Sequence, residues 1–213
     1  MDGFLNADGK DIVEKMIRVI QENKAYLSDI DGLIGDGDHG INMNKGFTMC
    51  EERIRGVDLN FSEALKTLGR VLMMEIGGSM GPLYGTVFTE MARTVKKAEV
   101  IDKAAFGEML AAALAGLGEL GGAKVGDKTL MDVMIPAEEA YRSALSDGKD
   151  FRACLEAMGQ AAEVGWLSTK DLVAKIGRAS RLGERSRGVL DAGATSCHLL
   201  LRAMADGIIA HLG

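Results

Sequence analysis

Residues 10–40 read KDIVEKMIRVIQENKAYLSDIDGLIGDGDHG. In the first half, Ile12, Val13, Met16, Ile17 and Ile20 recur at the three- and four-residue spacing of one helix face. From Asp29 onward that periodicity gives way to glycines and carboxylates. The pattern of a helix followed by a glycine- and acid-rich loop organises the rest of the chain. Residues 61–75 repeat the helical spacing with Phe61, Leu65, Leu68 and Leu72. Segments 41–55, 83–98, 102–119, 129–145, 150–168 and 190–211 read the same way. Asp102 and Asp150 stand where N-caps belong for two of them. Good helix formers dominate between the glycine clusters, the two prolines are Pro82 and Pro136, and period-two alternation of β-branched residues is nearly absent. The expectation is an all-α fold of about eight helices in a single domain over residues 1–213.

Composition narrows the function classes. The chain has 213 residues, 47% hydrophobic and 26% charged, as an ordinary globular protein does. Its formal charge of −6 argues against a general nucleic-acid binder, which would carry a basic patch. It does not argue against a nucleotide, because metal offsets phosphate charge. Cys50, Cys154 and Cys197 form no zinc spacing and no disulfide framework, and they read as buried small hydrophobes in a reducing compartment. The acidic N-terminus, with Asp2, Asn6, Asp8 and Asp11, does not resemble a signal peptide, and no apolar run is long enough to span a membrane. A cytoplasmic location is expected.

The loops carry the chemistry. Four of them, 29–40, 77–81, 121–129 and 177–195, combine glycine with charged or hydroxyl residues, as a backbone that approaches a ligand closely would. The first places Asp31, Asp36 and Asp38 within eight residues. Carboxylates brought to about 5 Å repel by roughly 3 kcal/mol per pair at an effective dielectric near 20. Such crowding suits a hard cation, and Mg²⁺ takes one or two carboxylates and completes its shell with phosphate oxygens and water. Three carboxylates would thus serve two Mg²⁺ ions bridging a nucleotide's phosphates. A solvated acidic turn fits the same residues. Gly35 to Gly40 formally matches G-x-G-x-x-G, but no strand precedes it and its carboxylates would repel bare phosphate. Counting Asp36 as the first position of a calcium loop puts Ile41 at the turn glycine and Phe47 at the bidentate glutamate, which excludes that motif.

The other loops fit a phosphate and nucleoside cradle. Gly77-Gly78-Ser79-Met80-Gly81-Pro82 leads into a helical pattern whose first amides would hold phosphate. Gly126-Asp127-Lys128-Thr129 offers a cation and a hydroxyl, and the segment from Gly177-Arg178 to Thr195-Ser196 offers a guanidinium among small residues.

Taken together, these segments resemble a known family. Asp31-x-x-x-x-Asp36-x-Asp38-His39-Gly40-x-Asn42-Met43-x-x-Gly46 is similar to the signature of the ADP-binding L subunit of dihydroxyacetone kinase. Gly77-Gly78 to Gly81-Pro82-Leu83-Tyr84-Gly85, Gly126-Asp127-Lys128-Thr129 with Asp132 and Pro136, and Gly177-Arg178-Ala179-Ser180 through Gly193-Ala194-Thr195-Ser196 resemble its later segments, in the family's order and over nearly the whole chain. The resemblance implies a barrel of eight antiparallel helices with a nucleotide at one end. It implies that Asp31, Asp36 and Asp38 hold two Mg²⁺ ions. It places His39, Gly40, Ile41, Asn42, Ser79, Met80, Gly121, Leu130, Arg178, Asp191 and Gly193 around ADP. It further implies a partner subunit that holds the ketone and a phosphotransferase-system partner that rephosphorylates the resident ADP. An ATP-dependent kinase for a related ketose such as erythrulose, and a non-catalytic nucleotide-binding module, are the alternatives; a homodimer is left open. The sequence departs from the family at Met80, at Leu130 where a methionine is usual, and at Ala192 where a proline is usual.

Among the remaining residues, His198 reads as a core histidine and His211 as solvated. Trp166 reads as packing or interface. The thirteen methionines, including Met73, Met74, Met131 and Met134, read as core fillers. Lys128 and Arg178 are expected to add positive charge near the phosphates.

Overall fold

The computed structural model describes residues 3–213; Met1 and Asp2, part of the acidic N-terminal reading, lie outside the described residues. Nine α-helices occur among the described residues: α1 Lys10–Glu22, α2 Lys24–Ile34, α3 His39–Ile54, α4 Phe61–Glu75, α5 Met80–Val95, α6 Lys103–Leu120, α7 Met131–Ser146, α8 Phe151–Ser168 and α9 Ala192–His211. The count agrees with the eight expected because α1 and α2 are one bent rod. At Asn23 the i to i−4 ladder continues, with Asn23 N donating to Val19 O and Leu27 N to Asn23 O. The Asn23 side chain also donates to Val19 O, at 2.8 Å. A second proton on that carbonyl marks the bend. The rod runs on to Ile34, so Asp31 stands in a helix rather than in the loop expected over 29–40.

Each helix packs on the next in the chain, and α9 returns to pack on α1 and α2, which closes the ring. An up-and-down order has a simple consequence: every second connection falls at the same end. The α2–α3, α4–α5, α6–α7 and α8–α9 connections are the four glycine loops, so all four meet at one end. The α3–α4, α5–α6 and α7–α8 connections lie at the other. There, Lys10 donates to Val57 O, Lys103 to Lys149 O and Arg152 to Gly213 O.

Inside the ring lies one continuous apolar core that includes Met16, Phe47, Leu68, Phe88, Phe106, Leu110, Met134, Leu155 and Leu201. Asp102 and Asp150 cap α6 and α8 as expected, accepting from Ala105 N at 2.8 Å and Ala153 N at 2.7 Å. Asn60 and Glu63 form a reciprocal capping box on α4. Pro136 within α7 has no N–H for the Asp132 carbonyl. Gly165 of α8 packs against that carbonyl, where a Cβ would come within 2.0 Å. A pair of three-residue strands, too short to alternate legibly, was missed: β1 Gly3–Leu5 pairs antiparallel with β2 Val100–Asp102. Phe4 and Ile101, opposite each other and buried, plug the far end.

Several single-residue expectations need correction. Met131 and Met134 are buried, but Met73 and Met74 are exposed, at 47% and 77%, because they lie near the open end of α4. His211 is not free in solvent: it pairs with Asp11 at 2.8 Å and joins the two ends of the ring. His198 is buried as expected and stacks flat on Trp166, with centroids 4.7 Å apart. The indole N–H of Trp166 donates to Thr195 Oγ1 at 2.9 Å. All three cysteines are buried thiols.

Candidate functional site

Asp31 stands in the last turn of α2, Asp36 in the connection, and Asp38 just before α3. Two glycines let them converge. Gly37 adopts φ 77°, which side-chain-bearing residues disfavour. A Cβ on Gly35 would come within 2.3 Å of Asp31 Oδ1, so only glycine leaves room for that carboxylate. One oxygen from each aspartate lies within 4.8 Å of the others. The Asp31 carboxylate also accepts from His39 N at 3.3 Å, and Asp36 pairs with Arg178 across the site. The donor set is all-oxygen, anionic and open on one side. That fits a hard divalent cation which keeps positions for phosphate and water.

The other three connections wall the space in front of this loop. Gly78, at φ 74°, turns the chain into Ser79 and the first turn of α5. In the α6–α7 connection the Asp132 carboxylate accepts from Gly126 N at 2.6 Å and Thr129 N at 2.7 Å, which holds the 126–129 turn. Between them Lys128 takes φ 62°, an uncommon left-handed conformation for a residue with a side chain. Asp191 caps α9, accepting from Ala194 N at 2.8 Å. Burial raises its carboxyl pKa to about 6, opposed by that amide and by the Lys128 charge.

These loops enclose a cavity of about 400 Å³, within the range of small-molecule sites. Its polar lining includes Asp31, Asp36, Asp38, Asn42, Ser79, Thr129 and Arg178, and its apolar lining Leu83, Leu117, Leu120, Leu130, Met131 and Ile176. Of the residues expected around a nucleotide, His39, Asn42, Ser79, Met80, Gly121, Leu130, Arg178, Asp191 and Gly193 line it. Gly40 and Ile41 do not. Ile41 is exposed, and Gly40 packs behind the wall, where a Cβ would come within 2.0 Å of Lys24 O. Gly40→Ala is therefore expected to overpack the α2–α3 contact and cost about 1–3 kcal/mol. Urea denaturation of the ligand-free protein reads this out, and an unchanged midpoint would contradict the packing.

Lys128 differs from expectation. The residue lines the cavity, yet it is only 1% exposed and its ammonium is spent on backbone carbonyls. It donates to the carbonyls of Thr169 and Val189, both at 2.5 Å, and of Leu172 at 3.2 Å. Burial lowers its pKa. His39 is also buried, and burial lowers its pKa to about 4, so the ring is neutral at pH 7. Its Nε2 lies 2.9 Å from Ser196 Oγ, which lies 2.7 Å from the Tyr84 hydroxyl; that hydroxyl donates to Gly193 O at 3.1 Å. This buried chain ties α3, α5 and α9 together beneath the cavity. Tyr84 and Ser196 were not singled out as site residues. Their only signal in the sequence is their place inside the glycine-rich segments.

The structure is thus an all-α ring whose glycine loops gather three carboxylates at one cavity. The chain belongs to the DAK2 domain family, whose model matches residues 33–206. It is 40% identical over 187 residues to the ADP-binding subunit DhaL of PEP-dependent dihydroxyacetone kinase 1 from Listeria innocua, covering 87% of this chain and 88% of the relative. It is 35% identical to the ADP-binding subunit DhaL of the Escherichia coli PEP-dependent dihydroxyacetone kinase, covering 88% and 90%. These relatives place it among kinase subunits, a phosphotransferase class. D-erythrulose kinase of Mycolicibacterium smegmatis is 32% identical over 91% of this chain, which spans 34% of that enzyme's length. In fold, the chain resembles the dihydroxyacetone kinase of C. freundii in complex with AMP-PNP and Mg²⁺, with a TM-score of 0.68 at 23% identity over 96% of this chain and 34% of that one. No helix among the described residues is long and apolar enough to cross a membrane.

Proposed function

We propose that this chain is the nucleotide-binding, phosphoryl-donating subunit of a dihydroxyacetone-type kinase, with residues 1–213 acting as one unit in the cytoplasm. The observation that carries the reading is the convergence of Asp31, Asp36 and Asp38 at a cavity walled by all four glycine loops. In this reading the three carboxylates hold two Mg²⁺ ions. When bound, the metal would supply positive charge against the phosphates; two such ions and three aspartates sum to +1. Arg178 adds a guanidinium to the same side, and Ser79 with the first amides of α5 offers donors to phosphate. His39, Asn42, Met80, Gly121, Leu130, Asp191 and Gly193 shape the remainder of the nucleotide site, with Gly40 and Ile41 contributing through the start of α3.

Phosphoryl transfer asks a protein mainly for positioning and charge neutralisation, which these residues supply. The cavity's histidine, His39, is turned toward Ser196 rather than held out as a base for an acceptor hydroxyl. The ketose and its base belong to a partner subunit. The words PEP-dependent and ADP-binding in the names of the Listeria and Escherichia relatives fit this reading, in which a phosphotransferase-system partner recharges ADP in place. Similarity to the erythrulose kinase supports a second reading, in which ATP exchanges freely.

The test is thermal melting with and without ADP and Mg²⁺. A ligand at 100 times its dissociation constant adds about 2.7 kcal/mol, or about 5–10 °C for a chain of this size. Identical midpoints, once a chelator has stripped the metal and nucleotide from the reference sample, would remove the reading.

A further inference from the structure

The α8–α9 connection, residues 169–191, is a strap of more than twenty residues without a long helix of its own. It carries Gly177, Arg178 and Ala179 to the cavity wall and ends on the Asp191 cap. Its middle is a 3₁₀ segment, Arg178–Ser186, broken at Gly183. Loops of this length are held by something other than their own ladder.

The base of the strap is closed by Lys128. All three ammonium protons are used on strap carbonyls: Thr169 and Leu172 where the chain leaves α8, and Val189 where it approaches α9. The side chain is enclosed, and among the described residues it forms no ion pair with a carboxylate. An ammonium buried on carbonyls alone is an unusual choice for mere packing, because an apolar side chain would fill the space without desolvating a charge. An ammonium, with three protons on one atom, can join both ends of the loop at one point. Smaller ties agree with this. Gly188 N donates to Lys170 O at 2.7 Å, Asp191 N to Thr169 Oγ1 at 3.1 Å, and Lys175 N to Asp127 O at 3.1 Å.

We propose that Lys128 is a positioning residue: by clamping both ends of the strap it fixes where Arg178 stands opposite Asp36. The proposal rests on the nucleotide reading above, since Arg178 matters there as a phosphate-side cation. Lys128 lines the cavity, but its ammonium protons are taken by strap carbonyls, so in this proposal it acts through Arg178.

The experiment is a double-mutant cycle on ADP binding in the presence of Mg²⁺, by isothermal titration, with Lys128→Met and Arg178→Ala. If Lys128 acts through Arg178, Lys128→Met weakens ADP by about tenfold or more, the scale of one charge-assisted hydrogen bond. The double variant then binds no more weakly than Arg178→Ala alone. Additive losses, or wild-type affinity in Lys128→Met, overturn the proposal. If Lys128→Met does not fold, Thr169→Val decides by the same cycle: it removes the hydroxyl that accepts from Asp191 N and loosens the same base without touching a charge. Hydrogen exchange on the ligand-free protein separates this proposal from the functional reading. Amides of residues 172–188 should exchange faster in Lys128→Met or Thr169→Val, with α4 and α5 unchanged. Unchanged exchange in the strap sinks the clamp. Absence of ADP binding in the wild type sinks the nucleotide reading, and the clamp is then judged by exchange alone.

Discussion

Asp36→Asn and Asp38→Asn each reduce Mg²⁺-dependent ADP affinity by more than about a hundredfold, since even groups one shell removed from a metal are worth about 10–100-fold. The substitution keeps the side-chain volume and removes one negative charge. In the cluster, where the three oxygens lie within 4.8 Å of one another, that charge is what a divalent ion would gain. The remaining two carboxylates leave the ion under-coordinated and the phosphates less neutralised. Ligand-free stability should not fall, because the change relieves repulsion between like charges; loss of the Asp36–Arg178 pair is a minor cost at an exposed site. Isothermal titration with ADP and Mg²⁺, alongside a melt of each variant, measures both. Wild-type affinity in the two variants would falsify the metal assignment. A collapse of the ligand-free fold would show instead that these carboxylates hold the loop.

On the proposed function, the isolated chain is expected to phosphorylate dihydroxyacetone with ATP and Mg²⁺ at less than about one-thousandth of the rate reached with a ketose-binding partner subunit, a gap set by the positioning the partner would supply. The cavity accounts for the glycine loops, the carboxylates and Arg178 in one nucleotide-sized site. A second hollow, of about 90 Å³ between α6 and α7, is lined by Glu108, Glu138, Tyr141 and Arg142 and touches none of the cavity loops. A three-carbon ketone offers few atoms for affinity, so an open donor site would not hold it in line with a γ-phosphate. The assay compares the chain alone with the chain plus partner. Full turnover by the chain alone would require an acceptor site within these 213 residues and would end the half-enzyme reading.

What the sequence determined by itself was local. Helical periodicity, the absence of strand alternation and the acids at Asp102 and Asp150 specify helices and their starts, because each depends on residues within a turn or two. The carboxylate cluster was legible for the same reason: Asp31, Asp36 and Asp38 lie within eight residues, and the glycines between them announce a tight curl. Up-and-down order then gathers the four glycine loops at one end. The strand pair at Gly3–Leu5 and Val100–Asp102 was not legible, since three-residue strands carry no period and their stability comes from a partner almost a hundred residues away. Tertiary structure alone also decided the role of Lys128. In the sequence it is a cation in a phosphate-like loop; in the fold, the α8–α9 strap brings three carbonyls to it and turns its charge inward. The close packing of Gly40 on Lys24 O was likewise invisible in the motif. A side chain's chemistry is written in its type, but its direction is set by which distant backbone comes to lie against it.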